Sequence, residues 1–329
     1  MKEIIEHSII SREKVHTIVK KKTKQPIVLT NHVSGDHGGQ QYNEAETKAQ
    51  KEAGFKVKNT NIFDMPNFIT DKNAQDSDCA GAYILPRHYA GEDTIFSSYI
   101  ERNNGILLIP DYHLANSWYK IVPQDSKADY WLKRRVAWID TSMLCNDSED
   151  DYSQWQSELC RIVGTMFGFA KHRKVFIKAT GKRSIDSTLY SFKQAVEALT
   201  YHFTFQVHGK LTEVIYSEPM QIAKDNNEFG KAEYRCFVVD GQVSSMSIYT
   251  DRKLHLNGDV ADMLFFANEF AQHFYKRLPL AYCLDIARLA DGSLAMVELN
   301  DIGGSGFYAQ HDIQQVFQDI YKLREEYIS

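Results

Sequence analysis

Long apolar runs are absent from this chain of 329 residues. A membrane-spanning helix needs about 20 consecutive apolar residues, so no segment is expected to cross a bilayer. The opening MKEIIEHSIISREKVHTIVKKKTK is broken by charge throughout and does not read as a signal peptide. Cysteine is sparse and scattered, and Cys79, Cys145, Cys160, Cys236 and Cys283 form no C-x-x-C pair. That spacing argues against a zinc site or a disulfide framework and for reduced thiols in a cytoplasmic protein. None of the twelve histidines belongs to an H-E-x-x-H motif, so any metal is expected to be hard and oxygen-ligated. An excess of positive charge is missing too. With net charge −5 and a pI of about 6.2, the chain offers no overall field for nucleic acid or anionic lipid. The one basic run, at 20–24, reads as a solvated helix end before a strand.

What remains is an ordinary globular composition, and the length suits two or three subdomains. Up to about residue 115, strand and helix alternate. PIVLT, GAYILP and GILLIP read as strands; YNEAETKAQKEAG, closed by Gly54, and DTIFSSYIERNN read as helices. That alternation predicts a small open α/β domain with parallel strands. Its loop NHVSGDHGGQ carries Asp36, His37, Gly38 and Gly39 between a strand and a helix, where such sheets place ligands. A polar loop with a helix cap explains the same residues.

Further on, KADYWLKRRVAWID suggests a helix running into a strand, and NDSEDDYS an acidic linker. The order then becomes helix SQWQSELCRIVGTMFGFA, strand KVFIKAT, loop GKRSIDST, helix LYSFKQAVEALTYHF and strand LTEVIYSEPMQI. A hairpin EYRCFVVDGQVSSMSIY, the helix DVADMLFFANEFAQHFYKR, a second hairpin YCLDIARLADGSLAMVELN and a last helix DIQQVFQDIYKLREEY complete it. This is an α+β order and not a doubly wound nucleotide-binding sheet.

The second hairpin is apolar except for Asp285 on one arm and Glu298 and Asn300 on the other. Glu298 and Asn300 share a strand face because side chains alternate. If the turn is centred between Asp291 and Gly292, Asp285 lies directly opposite Glu298, with Cβ atoms roughly 5 Å apart. Two carboxylates at that distance repel by roughly 3 kcal/mol at an effective dielectric of about 20. A neutralising Arg or Lys, a shared proton or a bound cation could each offset the repulsion. Asn300 adds a third oxygen, which a cation can use and a shared proton does not need; Mg2+ beside a nucleotide is held by such ligands.

With these residues the chain resembles the ATP-grasp superfamily, in particular the RimK-like clade, the ribosomal-protein glutamate ligases and their bacterial and phage relatives. LDIARLADGSLAMVELN resembles the element in which an Asp and a Glu-x-Asn hold Mg2+ against ATP. EYRCFVVDGQVSSMSIY resembles the preceding hairpin, with Glu233 and Arg235 as its acidic residue and arginine. The likeness runs over about 150–329. It implies an α+β ATP-grasp fold whose two subdomains, 116–215 and 216–329, sandwich ATP behind an N-terminal α/β domain at 1–115.

The resemblance also implies site roles. Asp285, Glu298 and Asn300 would hold Mg2+, and Lys178 in KVFIKATG would contact ATP phosphate and adenine. Lys182, Arg183 and Ser184 would belong to a phosphate-covering loop, although this loop has one glycine and Ala179 stands where proline is frequent. In VIYSEPMQI the Glu218 carbonyl and Met220 amide would read adenine around Pro219, and Lys224 or Asp225 would hold ribose. Arg235 would sit on the γ-phosphate or acyl phosphate, with a structural salt bridge as its alternative. Gly303, Gly304 and Gly306 would let backbone approach substrate or phosphate. An upstream lysine used by many relatives has no assigned counterpart among Lys120, Lys127 and Lys133. The implied reaction joins a carboxylate to an amine, or to a thiol, through an acyl phosphate, with a peptide or amino acid as substrate. A small-molecule kinase and a non-catalytic nucleotide-binding module are the alternatives, and an oligomer is compatible with the sequence.

Overall fold

The structure, a computed structural model, describes residues 27–30, 39–59, 82–84, 106–107, 118–145, 152–179, 188–205, 213–224, 231–249, 260–300, 302, 305–308 and 310–328. They fall into two compact units. One comprises 1–115, 223–288 and 297–329; the other comprises 116–222 and 289–296.

The N-terminal part of the first unit follows the expected alternation. Strand β1 (Ile27–Thr30) leads to helix α1 (Gly39–Ala53), then to β2 (Lys56–Asn59), β3 (Ala82–Ile84) and β4 (Ile106–Leu107). The strands form a parallel sheet in the order β2-β1-β3-β4. Strand β2 was not expected: only Gly54 and Phe55 separate it from α1. Gly54 ends the helix at φ +106°, a conformation suited to glycine, and a Cβ there would lie 2.9 Å from the Tyr321 ring. The loop residues Asp36, His37 and Gly38 and the helix expected at DTIFSSYIERNN lie outside the described residues.

The second unit is an antiparallel sheet with helices. Helix α2 (Ala128–Leu132) runs into β5 (Val136–Asp140), followed by α3 (Tyr152–Ala170), β6 (Val175–Ala179), β7 (Thr188–Tyr190), α4 (Phe192–Phe205) and β8 (Glu213–Ser217). The strand order is β5-β8-β6-β7. Val175, Ile177, Val214 and Tyr216 pack with Ile162, Val163 and Met166 of α3 and Ala195 and Leu199 of α4. One boundary differs from expectation. Thr188–Tyr190 form a strand paired with β6 and not the first turn of α4. The helix starts only after Ser191, whose backbone N–H and hydroxyl both bond Gln194 Oε1, at 3.0 and 2.8 Å, in a Ser-x-x-Gln capping box. Strand β8 likewise stops at Ser217, two residues before Pro219, which lacks a ladder donor.

The C-terminal part of the first unit contains β9 (Glu233–Val239), β10 (Gln242–Ile248), α5 (Val260–His273), β11 (Ala281–Arg288), the second half of β12 (Leu294–Asn300), whose first three residues are assigned to the second unit, and α6 (Ile313–Ile328). Its sheet has the order β10-β9-β11-β12. Phe237, Val239, Ala281 and Cys283 pack with Ala49 of α1, Phe55, and Val316, Phe317, Ile320 and Leu323 of α6. Phe237 pairs with Cys283 in register, and Arg235 with Asp285. Two residues along each strand, the same face thus changes from apolar to charged. Of the cysteines described as free, Cys236 and Cys283 are buried and Cys160 is exposed.

The two hairpin turns differ. Asp240 and Gly241 both have positive φ (50° and 75°), the signature of the tight two-residue turn that Asp-Gly favours. At Asp291-Gly292 only Gly292 (φ 85°) among the turn residues has positive φ. Its N–H bonds the Leu289 carbonyl, while the Leu289 N–H bonds the Ser293 carbonyl. This is a three-residue loop, Ala290 to Gly292, and not the two-residue turn expected there. Asp291 Oδ1 accepts from the Ser293 N–H at 2.9 Å and Ser293 Oγ at 2.7 Å, which favours the longer form.

These glycines make a paired prediction. A Cβ on Gly241 would lie 2.4 Å from Tyr275 Cδ2, whereas one on Gly292 meets nothing within 4 Å. Gly292→Ala should therefore cost about 1 kcal/mol, from backbone strain alone. Gly241→Ala should cost about 1–3 kcal/mol more, because the Tyr275 ring must move. Urea denaturation of both variants measures the difference; equal losses would contradict the packing described for Tyr275.

Candidate functional site

The charged end of the C-terminal sheet brings together residues from three strands. Asp285 on β11 is fully buried, and Arg235 on β9 nearly so. Their contact is a two-pronged pair: Arg235 Nε donates to Asp285 Oδ1 at 2.8 Å and Nη2 to Oδ2 at 2.7 Å. Asn300 on β12 donates from Nδ2 to Glu298 Oε1 at 2.8 Å and to Asp285 Oδ2 at 3.3 Å. The three hairpin residues singled out in the sequence therefore share one face, despite the longer turn.

Arg235 is the residue whose surroundings differ most from the phosphate contact expected of it. Its guanidinium is committed to Asp285, the salt bridge that was the alternative reading. Nη1 also lies 3.4 Å from the Gly306 carbonyl, and the rings of Tyr249 and Tyr308 cover the group at 5.0 and 5.5 Å. Burial opposes its charge, but the charge and hydrogen bonds of Asp285 outweigh that and hold Arg235 well above its ordinary range. Behind it, Nδ1 of buried His311 accepts the Tyr308 N–H at 2.7 Å, which leaves Nε2 as the donor to the Arg235 carbonyl at 3.1 Å. Burial lowers His311 to about 4, so the ring is neutral. Sequence reading missed Tyr249, Tyr308 and His311, because they reach Arg235 only through folding and carry no local motif.

Glu233, two residues before Arg235, adds negative charge. Burial first, then the charges of Asp285 and Glu298, raise its carboxyl to about 7, against smaller opposing effects of Lys231 and Arg235. Among the described residues, Glu233, Asp285 and Glu298 thus share a neighbourhood with Arg235 and Lys231. Among the described residues no cluster of three His, Cys, Asp or Glu side chains is arranged to hold a metal ion. Asp285, Glu298 and the amide of Asn300 are nevertheless a set of hard oxygen donors amid surplus negative charge, which fits Mg2+.

The remaining expected residues lie in the second unit or outside the described residues. Lys178 sits on β6 opposite Ile215 of β8, and Ile215 is opposite Trp138 of β5. Val175 and Ile177 face α3 and α4, so Lys178 is on the opposite side of that sheet from those two helices. Glu218, Pro219 and Met220 follow β8 directly. The Glu218 carboxylate accepts from Arg135 Nε at 2.9 Å and Nη2 at 2.6 Å, and these bonds hold it below its ordinary value. Its carbonyl accepts Ser217 Oγ at 3.1 Å. The Met220 N–H makes no hydrogen bond among the described residues. Of the upstream lysines, Lys120 is bonded to Glu213 at 2.6 Å and lies 4.8 Å over the Trp138 ring. Glu213 also accepts Tyr119 Oη at 2.6 Å. No sequence signal joins these residues, which are more than ninety positions apart. Lys182, Arg183, Ser184, Asp225, Gly303 and Gly304 lie outside the described residues.

The raised Glu233 carboxyl has a testable sign. Between the ordinary carboxyl range and about pH 7, the folded chain keeps a proton that the unfolded chain has released. That contribution to stability is full below the ordinary value and is lost as pH rises through about 7. Glu233→Gln stays neutral throughout. It should gain on wild type with rising pH, by on the order of 2 kcal/mol once Glu233 has ionised. Melting curves across this range measure the gain; parallel profiles would show that Glu233 titrates normally.

The fold has counterparts among solved structures. Three solved structures match over almost the whole chain. Against D-cycloserine synthetase DcsG the TM-score is 0.58, with 14% identity and coverage of 91% of this chain and 99% of the other. For a RimK domain ATP-grasp protein from Sphaerobacter thermophilus DSM 20745 the values are 0.55, 12%, 90% and 99%. For the ATP-grasp ligase PsnB in complex with precursor peptide PsnA2 and AMPPNP they are 0.53, 12%, 92% and 98%. At such identities the likeness shows the shared ATP-grasp fold. No curated protein matches the chain significantly. The family model described as "ATP-grasp domain, R2K clade family 2" matches residues 154–318, half of the sequence, and the chain belongs to that family.

Proposed function

We propose that the protein is an ATP-dependent, ADP-forming ligase that activates a carboxylate as an acyl phosphate and transfers it to an amine. The observation carrying this reading is the convergence of Asp285, Glu298 and Asn300 on one sheet face with more negative charge than Arg235 neutralises. ATP-grasp family membership supports reading that face as a site for Mg2+ and ATP. A peptide or amino-acid substrate is supported by the peptide held in the PsnB complex and by the alanine dipeptide named in D-alanyl-alanine synthetase A from Vibrio cholerae, another neighbour in fold.

In this reading Asp285, Glu298 and Asn300 would hold Mg2+, which when bound would supply positive charge beside the phosphate oxygens. Arg235 holds Asp285 in place and presents a planar cation to oxygens of the transferring group. In the second unit, Lys178 contacts phosphate and adenine as a strand-borne point charge. The Met220 N–H, which has no partner among the described residues, and the Glu218 carbonyl are the donor and acceptor for adenine. Pro219 between them lacks an N–H that the exchange does not use. Lys182, Arg183 and Ser184 cover phosphate and Asp225 holds ribose. Among the described residues no helix is long and apolar enough to cross a membrane.

Glu298→Gln tests the assignment. It removes one charge and should leave the fold intact, while ADP release falls by about a hundredfold or more, the scale set by losing one electrostatic contact in a transition state. Unchanged turnover would count against Glu298 as a ligand. Incubation with Mg-ATP, candidate acids and hydroxylamine should yield a hydroxamate together with ADP, as an acyl phosphate gives. A phosphorylated alcohol would indicate a kinase, and binding without turnover a module.

A further inference from the structure

The face that would receive a cation already carries a covering of its own. Asp285 Oδ1 accepts from Arg235 Nε, Asp285 Oδ2 from Arg235 Nη2 and Asn300 Nδ2, and Glu298 Oε1 from Asn300 Nδ2. Three of the four oxygens on these carboxylates therefore face N–H donors. The Asn300 amide points its NH2 inward because its carbonyl oxygen would meet two negative charges there. A cation needs the opposite orientation, with Oδ1 inward. That oxygen makes no hydrogen bond among the described residues, so turning the amide over breaks only the two donated bonds.

Arg235 is held in place independently of Asp285. Tyr249 and Tyr308 lie over the guanidinium, the Gly306 carbonyl faces Nη1, and His311 fixes the Arg235 backbone carbonyl. The guanidinium is thus a built feature of the site. It occupies both Asp285 oxygens, and a dication on the same carboxylate would meet its charge.

We propose that Arg235 and Asn300 form an internal cation cap, so that a divalent metal enters this face only by exchange. Arg235 gives up at least one Asp285 oxygen, and the Asn300 amide turns its oxygen inward. The inference rests on the reading above that this face binds a divalent ion. Nucleotide favours the exchange, because phosphate oxygens offer the displaced guanidinium an equally good two-pronged partner. Metal and nucleotide consequently bind with positive coupling, and metal alone binds weakly.

Mn2+ binding to the full chain without nucleotide, followed by the loss of the free-ion electron paramagnetic resonance signal, tests the cap. If the exposed state is populated at about a tenth or less, Arg235→Gln should bind Mn2+ about tenfold or more tightly than wild type. Arg235→Lys keeps the buried charge, and therefore the fold, but cannot cover both oxygens; it should fall between the two. Adding Glu298→Gln to either variant should abolish the gain. Wild-type affinity or weaker in both Arg235 variants, with binding still sensitive to Glu298, overturns the cap and leaves the ligase reading standing. Mn2+ binding indifferent to Glu298 in every chain, even with a non-hydrolysable ATP analogue, overturns both.

Discussion

The pair between Arg235 and Asp285 is the interaction around which the C-terminal sheet is organised. Both groups are out of water, and a charge buried without its partner costs about 3–5 kcal/mol. The strand register meets this requirement by setting Arg235 directly across from Asp285. Two residues along each strand the same face becomes apolar, where Phe237 and Cys283 join the core shared with α1 and α6. A slip of one residue would turn the charged pair and that core contact to the wrong face together. The pair and the core therefore specify the same register.

The pair also decides how the remaining charge is distributed. Asp285 is paired with Arg235, and Glu298 and Glu233 add further negative charge beside the pair. Glu233 responds by holding its proton to about pH 7, while Glu298 shares the Asn300 amide with Asp285. A purely structural salt bridge would not require two further acids beside it on a sheet otherwise rich in apolar residues. Their presence is explained if the face is completed by a cation, with Arg235 and Asn300 covering it in the meantime.

Much of this was legible in the sequence wherever the signal is local. Alternating strand and helix, the Asp-Gly turns, Gly54 at a helix end and the acid–x–amide spacing of Glu298 and Asn300 are set by neighbouring residues. Three things were not. The partner of Arg235 depends on pairing strands fifty positions apart, and no spacing rule chooses between a phosphate and Asp285. The longer loop at Asp291-Gly292 follows from hydrogen bonds to a single aspartate oxygen, which dipeptide preference does not encode. The covering of Arg235 by Tyr249, Tyr308 and His311 arises where a loop and two strands come together, and none of the three carries a motif. In the first and third cases a tertiary contact decided between options that were locally equivalent; in the second the deciding bonds join residues two apart.

Anomalous diffraction from crystals of the chain grown with Mn2+ and a non-hydrolysable ATP analogue tests the central claim most directly. The account predicts a manganese peak at bonding distance, about 2.2 Å, from oxygens of Asp285, Glu298 and Asn300, with the Asn300 amide reversed and Arg235 shifted toward phosphate. A manganese ion elsewhere, with Arg235 still gripping both Asp285 oxygens beside bound nucleotide, would contradict it.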